Sequence, residues 1–496
     1  MEYQKIKYGL FDKIKTDFKY DIKAKLIVLT SINPTSKGEG KTTSLIGLVD
    51  LFKHYEKNTI GCLRQPSVGP FLGMKGGATG SGKCALKNDF EINIGLTGDF
   101  EKIALVNNLI VTIIENEIYF NSDLKVDSKK IHINRSIDLN DRSLRNVKYK
   151  INKNQDYKTS FTITAASNLM AAFCLVNSID EFSKIIKKTI VAFSVDNNPI
   201  TINDLKIGDN IVKILETALL PNIVKTKSES TILMHGGPFA NIAHGCNSII
   251  ATKTAMTNSD YVFTECGFGS DLGLEKFINI KCRRANLFPN LVVYAISLKS
   301  IIEHGKGSIK MGMKNLKDHL GIAKSFGIKP IVILNQFIDD KEDDIKLFSK
   351  YCIELNIKMM ISNLWKTGPK HKSNQILLNF ILDNIEMNPI HKFTYELVDP
   401  IITKIEKVAK IIYGAKKIEI DKKVLEKINN LKNHEHEFNI CIAKDQKSII
   451  GHNLDNKIFY INDLKINYFA KLIVLITTKV FLMPGLPKIP NAMGEL

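Results

Sequence analysis

The segment KLIVLTSINPTSKGEGKTT, from Lys25 to Thr43, constrains this chain more than any other. A continuous apolar run bounded by turn residues reads as a buried strand. It leads into Thr35-Ser36-Lys37-Gly38-Glu39-Gly40-Lys41-Thr42-Thr43 and then into an apolar helical stretch. Strand, glycine-containing loop and helix in this order form a phosphate-binding loop. Gly38 and Gly40 let backbone amides approach phosphate oxygens without an intervening Cβ. A helix starting near Thr42 adds its free N-terminal amides and partial positive charge. Lys41 can reach the β- and γ-phosphates of ATP, and Thr42 offers a hydroxyl to Mg²⁺. The first position of the motif, usually glycine, is Thr35.

Strands alternating with helices predict an α/β fold with a largely parallel sheet. The clearest strands are 25–31, 259–265, 290–297 and 329–335. Helical periodicity covers 242–256, 315–325 and 401–413, the last with Ile401, Ile405, Val408, Ala409 and Ile412 on one face. Residues 388–400, with two prolines, read as a linker, and the Lys-rich segment 421–437 as a solvated helix and loop with His434 and His436 at the surface.

The 496 residues carry 44 % hydrophobic side chains, enough for a sizeable core. The net charge of +18 comes from scattered lysines without a basic arm or an RNA-binding signature, so an anionic small substrate is expected rather than nucleic acid. The eight cysteines have no CxxC spacing, which argues against zinc and a disulfide framework; Cys174 reads as a small core residue. His235, His244 and Cys246 lie close together but fit no standard zinc pattern and read as structural support. No apolar stretch suits a signal peptide or a membrane span, and a cytoplasmic location is expected.

Beyond the loop, further segments appear in a recognisable order: LRQPSVGPFLGMKGGATGSG (63–82), LTGDF (96–100), IDLNDRSLRN (137–146), HGGPFANIAHGCNSIIATKTA (235–255), TECGFGSDLGLEKFINIKCRRA (264–285), KIEKVAKIIYGA (404–415) and MPGLPKIP (483–490). With the loop itself, they resemble the formate–tetrahydrofolate ligase family over most of the chain from about residue 24. That resemblance implies a P-loop NTPase-like, largely parallel sheet flanked by helices, with two smaller α/β domains. The expected divisions are 1–320 for nucleotide and formyl phosphate, 321–395 for folate contact, and 396–496 at the C-terminus. It also implies ATP, Mg²⁺ and a monovalent cation, formate and tetrahydrofolate as substrates, a formyl phosphate intermediate, and a homotetramer.

Formyl phosphate is anionic and readily hydrolysed, so its site needs cations, amide donors and shelter from water. Lys41 supplies one cation. Arg64, whose planar fork suits a carboxylate or acyl phosphate, supplies another. Lys75, Gly76 and Gly77 add backbone donors from the next loop. Asp99 is the carboxylate expected near the reaction, as a Mg²⁺ ligand or as acceptor of the proton leaving N10; an ion pair or helix cap is its structural alternative. The resemblance places the aromatic pair Phe337 and Trp365 on either side of the folate ring.

The chain departs from the family pattern at several places. Gln65 stands where the family has Glu, Gly82-Lys83 where it has Gly-Tyr, and Glu101 where it has His. Its NRF motif reads Asn335-Gln336-Phe337, and its Gly-Gly-Glu-Gly run is replaced by Lys366-Thr367-Gly368-Pro369-Lys370. A Gly-rich loop and a second TGD are replaced by NYFAKL (467–472) and Thr477-Thr478-Lys479, and most of an N-terminal helical extension is missing. Two alternatives therefore stand beside the ligase: a relative that binds ATP without ligating, and a P-loop enzyme that activates another small carboxylate.

Overall fold

The apolar runs become the centre of a ten-stranded sheet. The computed structural model describes residues 3–5, 11–35, 38–74, 77–152, 155–449, 457–478 and 480–494. In chain order the sheet strands are β1 (Tyr3–Lys5), β2 (Asp12–Ile14), β3 (Lys25–Thr30), β4 (Thr59–Leu63), β5 (Asn222–Lys225), β6 (Thr231–Met234), β7 (Tyr261–Glu265), β8 (Leu291–Ser297), β9 (Ile331–Asn335) and β10 (Met359–Ser362). Their spatial order is β1-β2-β5-β6-β4-β7-β3-β8-β9-β10. Pairing is antiparallel from β1 to β6 and parallel from β6 to β10.

The central parallel strands are largely apolar because helices cover both faces. In β8 every residue is buried, and in β3 all but Lys25. β3 lies between β7 and β8, and the chain crosses from one side of it to the other after β7. Such a reversal leaves a crevice at the carboxyl ends of the strands, where open α/β sheets take their ligands. Helix α1 (Lys41–His54) follows β3 and turns Leu45, Ile46, Leu48, Val49 and Phe52 into the sheet.

The helix expected over 242–256 runs from Ile249 to Asn258. Ser248 caps it by accepting from the Ala251 amide, and the small residues before it form a loop instead. The stretch 315–325 is the end of a longer helix, Ile309–Ser325, and Ile401–Ile411 is helical with the expected apolar face buried.

A second core gathers Phe100, Ile110, Ile114, Phe173, Phe182 and Leu215 from the insertion between β4 and β5. The C-terminal strands Asn439–Ala443 and Leu472–Ile476 share one continuous core with β3 and β8. The expected division at 320 falls within the helix Ile309–Ser325, and residues 321–395 add β9 and β10 to the large sheet. Among the described residues, no helix is long and apolar enough to cross a membrane.

Candidate active site

The parallel strands deliver their chemistry at one end. Arg64 follows β4, Glu265 ends β7, the P-loop follows β3, Ser297 ends β8, Asn335 ends β9 and Ser362 ends β10. In the loop, Gly38 and Gly40 have φ of +77° and +71°, a left-handed conformation that glycine adopts without Cβ strain. Ser36 and Lys37 lie outside the described residues.

Hydrogen bonds brace the loop. The Thr35 amide and hydroxyl both donate to Glu39 Oε1, at 3.1 and 2.9 Å, and Ser297 donates to Glu39 Oε2 at 2.6 Å. Glu39 is thereby turned back toward Thr35 and β8. Asn335 donates to the Glu39 carbonyl at 3.0 Å and accepts from Ser44 at 2.9 Å. A buried carboxylate with three donors is well satisfied and holds its neighbours firmly.

Burial lowers the pKa of the Lys41 ammonium, while the carboxylates of Glu265 and Glu39 act the other way. Thr42 donates to Glu265 Oε2 at 2.9 Å. Sequence reasoning missed Glu265. Its signals are an acidic residue ending an apolar strand and its place in the segment 264–285, and nothing in the sequence says that this strand lies beside β3.

The Nε of Arg64 is buried without a hydrogen-bond partner among the described residues, and so are both ring nitrogens of His244. Burial, then the positive charges of Lys281, Arg64 and Lys276, push the His244 pKa well below the usual range, so its ring is neutral. Two buried lysines hold the surrounding loop: Lys276 donates to the Ala240 carbonyl at 2.5 Å, and Lys281 to the Asn247 carbonyl at 2.8 Å. His235 instead bonds Ser248 and the Ala218 carbonyl, each at 2.7 Å, and is structural as expected.

Asp99 opens the helix Asp99–Tyr119. It is 1 % exposed, and both its oxygens accept from Lys13, at 2.9 and 2.8 Å. Asn222 adds a third bond at 2.8 Å. These contacts are those of the ion-pair alternative.

Phe337 and Trp365 come together from the ends of β9 and β10. Their ring centroids are 6.4 Å apart with 26° between planes. A cavity of about 240 Å³ lies here, lined by Gly40, Thr43, Gly82, Asn335, Phe337 and Trp365. A flat ring between two others needs about 7 Å, twice the usual carbon contact distance, so a small parting of the rings admits one. The indole donates to the Gln336 carbonyl at 2.6 Å, which fixes Trp365. Gly82 is obligatory: its φ is +59°, and a Cβ would lie 2.4 Å from the Trp365 carbonyl oxygen. Lys75 and Gly76 lie outside the described residues. Gly77 packs on Asn93, where a Cβ would come within 2.6 Å.

Several departures lean on one another. Lys83 donates its amide to the Trp365 carbonyl at 2.9 Å and its ammonium to the Thr367 carbonyl at 3.3 Å. Gln65 donates to the Gly95 carbonyl at 3.2 Å. The segment around Met483 binds the 137–146 motif, with Arg145 donating to the Met483 carbonyl at 2.9 Å.

The sequence profile of the formate–tetrahydrofolate ligase family matches residues 2–494. A formate–tetrahydrofolate ligase of Malacoplasma penetrans is 45 % identical over 98 % of this chain and 95 % of its own length. One of Ureaplasma parvum is 45 % identical over 97 % of this chain and 94 % of its own, and one of Pelagibacter ubique 37 % over 94 % and 87 %.

Proposed function

We infer the function of this chain from its membership: it belongs to the formate–tetrahydrofolate ligase family. It joins formate to N10 of tetrahydrofolate at the expense of ATP and yields 10-formyltetrahydrofolate, ADP and phosphate. The observation that carries this reading is the Phe337/Trp365 cavity, which shares Gly40 with the wall of the P-loop. A phosphate site and a slot for a flat ring are then adjacent, as transfer of an acyl group from phosphate to a pterin amine requires.

The loop amides and Lys41 hold the phosphates of ATP. Lys41 and Arg64 draw the formate oxygen into line with the γ-phosphorus and balance the charge spread over the equatorial oxygens. The formate oxygen bonds to phosphorus as the bond to ADP breaks, giving formyl phosphate. The unpartnered Arg64 Nε and His244 ring suit this anion, and the enclosing loop keeps water away. Phe337 and Trp365 present N10 to the formyl carbon; the C–N bond forms as the C–O bond to phosphate breaks, and the N10 proton passes to the departing phosphate. The Thr42 hydroxyl would be the protein's ligand to the Mg²⁺ that comes with ATP, which would supply neutralisation of the phosphate charge. Asp99 acts from behind, by holding Lys13 and the start of its helix.

Thr35 to Thr43 are assigned to the nucleotide, and Lys75, Gly76 and Gly77 to formyl phosphate. A three-part division at 320 and 395, a homotetramer, activation by a monovalent cation, a cytoplasmic location and no nucleic-acid partner complete the reading. The bonding of Lys83 to residues 365–367 favours a working enzyme over a degenerate one.

The test is ADP release by purified protein with MgATP and tetrahydrofolate, with and without formate, beside Lys41→Ala. Formate-stimulated release lost in the variant is expected. ATP binding with no response to formate would overturn the ligase reading.

A further inference from the structure

Two motifs of the sequence, 137–146 and 483–490, take no part in the chemistry above. The structure joins them to the turn that follows Arg64. That turn leads into a short helix, Val68–Gly73, and the Asp138 carboxylate sits at its start. The Ser67 hydroxyl donates to Asp138 Oδ1 and the Val68 amide to Oδ2, each at 2.7 Å. At the other end of the turn the Gln65 amide donates to the Gly236 carbonyl at 2.7 Å. Asn140 packs along the same short helix so closely that a Cβ on Gly69 would lie 2.8 Å from its Oδ1, and one on Gly73 2.7 Å from its Nδ2. The second motif backs the first: the Asp141 amide donates to the Met483 sulfur at 3.5 Å, and Asn491 just beyond donates to the Phe71 carbonyl at 2.8 Å.

We propose that Asp138 is a positioning residue for Arg64: by holding the turn from Gln65 to Val68, it fixes where the guanidinium meets formate. The proposal rests on the ligase reading above. An arginine side chain is long, and its aim is set by the backbone it leaves and by the groups that grip it along its length. The buried Arg64 Nε has no partner among the described residues, so the backbone turn carries that task. A carboxylate suits the position because it accepts from both donors at once. An amide there accepts from one donor and turns an N–H toward the other. Burial pushes the Asp138 carboxyl up to about 6, the Ser67 and Val68 bonds pull it down, and Glu101 on the helix Asp99–Tyr119 adds to the rise. The helix Val68–Gly73 and residues 161–163 and 482–486 bring no charge to it. On its own segment, Asp141, Arg142 and Arg145 are bonded to Ser143, Leu486 and Met483. Once protonated, the carboxyl keeps only one good acceptor for the two donors, and the turn loosens.

The experiment measures formate-dependent ADP release by the parent protein, Asp138→Asn, Ser67→Ala, Arg64→Lys and Arg64→Lys/Asp138→Asn. Asp138→Asn is expected to raise the KM for formate by about 10- to 100-fold, the cost of a misplaced binding group, while the KM for ATP stays within about twofold. Ser67→Ala should raise the formate KM in the same direction by a smaller factor. In the Arg64→Lys background, Asp138→Asn should add little, because the fork that it aims is gone. The parent's formate KM should climb as pH falls below about 6, where formate itself stays ionised, and Asp138→Asn should lack that climb. If Asp138→Asn misfolds, Ser67→Ala decides. An unchanged formate KM, an equal rise in the ATP KM, or a full-sized effect in the Arg64→Lys background overturns the assignment. A parent with no formate-stimulated ADP release overturns the proposed function and this assignment together; a parent that responds to formate while Asp138→Asn keeps its formate KM overturns only this one.

Discussion

The Lys13 ammonium donates to both carboxylate oxygens of Asp99, at 2.9 and 2.8 Å, and both side chains are almost wholly buried. Burial pulls the Lys13 pKa down, and Asp99 is what opposes it. A pair so enclosed costs more to break than to replace. Asp99→Asn strands the ammonium and should destabilise by about 3–5 kcal/mol. The double variant Lys13→Met/Asp99→Leu should recover most of that loss. Denaturant unfolding reads both. At a temperature where the double variant is folded, its kcat should stay within a few-fold of the parent; a thousandfold loss would return Asp99 to the chemistry.

Phe337 is 43 % exposed and contributes little to the core, so its removal should report on the cavity alone. Phe337→Ala should raise the KM for tetrahydrofolate by about tenfold, equivalent to about 1.4 kcal/mol of ring contact. The affinity for ATP should stay within twofold. Steady-state kinetics and nucleotide calorimetry separate the two, and an unchanged folate KM would remove Phe337 from the substrate site.

His319 ties the root of the P-loop to the helix Ile309–Ser325 by bonding Asn33 and Ser270. Burial lowers its pKa to about 4; Asp271 acts to raise it, Lys444 and His304 to lower it. The ring stays neutral when folded, whereas the unfolded chain takes a proton near pH 6.5. Between those values unfolding takes up a proton, so this contribution is present above pH 6.5 and lost as pH falls toward 4. The slope is about 1.4 kcal/mol per pH unit for one proton. His319→Gln should be less stable at pH 7 and should show a correspondingly shallower fall between pH 6.5 and 4.5 in urea titrations. An unchanged slope would show that the proton goes elsewhere.

All eight cysteines are buried, and burial raises the thiols of Cys62, Cys84, Cys266 and Cys352 to about 12. Only the thiolate reacts rapidly with disulfide reagents. The native protein should therefore leave Ellman's reagent almost untouched at pH 8, and the denatured chain should release eight equivalents. Rapid reaction of one thiol in the native protein would contradict the buried arrangement.

Features that depend on neighbours along the chain can be read from the sequence. The P-loop was legible because phosphate binding needs glycines, a lysine and a hydroxyl within one turn, between a strand and a helix. β3, β7, β8 and β9 were legible because a strand covered on both faces must be apolar throughout. The Phe337/Trp365 pair was legible only through family resemblance, and the structure sets the two rings 6.4 Å apart. What the tertiary structure decided is everything that depends on which strands lie side by side. Asp99 and Lys13 are 86 residues apart, and Thr42 and Glu265 are 223 apart. Nothing in local periodicity records that a carboxylate will meet an ammonium in the core, or that β7 will lie against β3. Ion pairs and hydrogen bonds act over a few ångströms in space, and only the order of strands in the sheet turns distant residues into such neighbours.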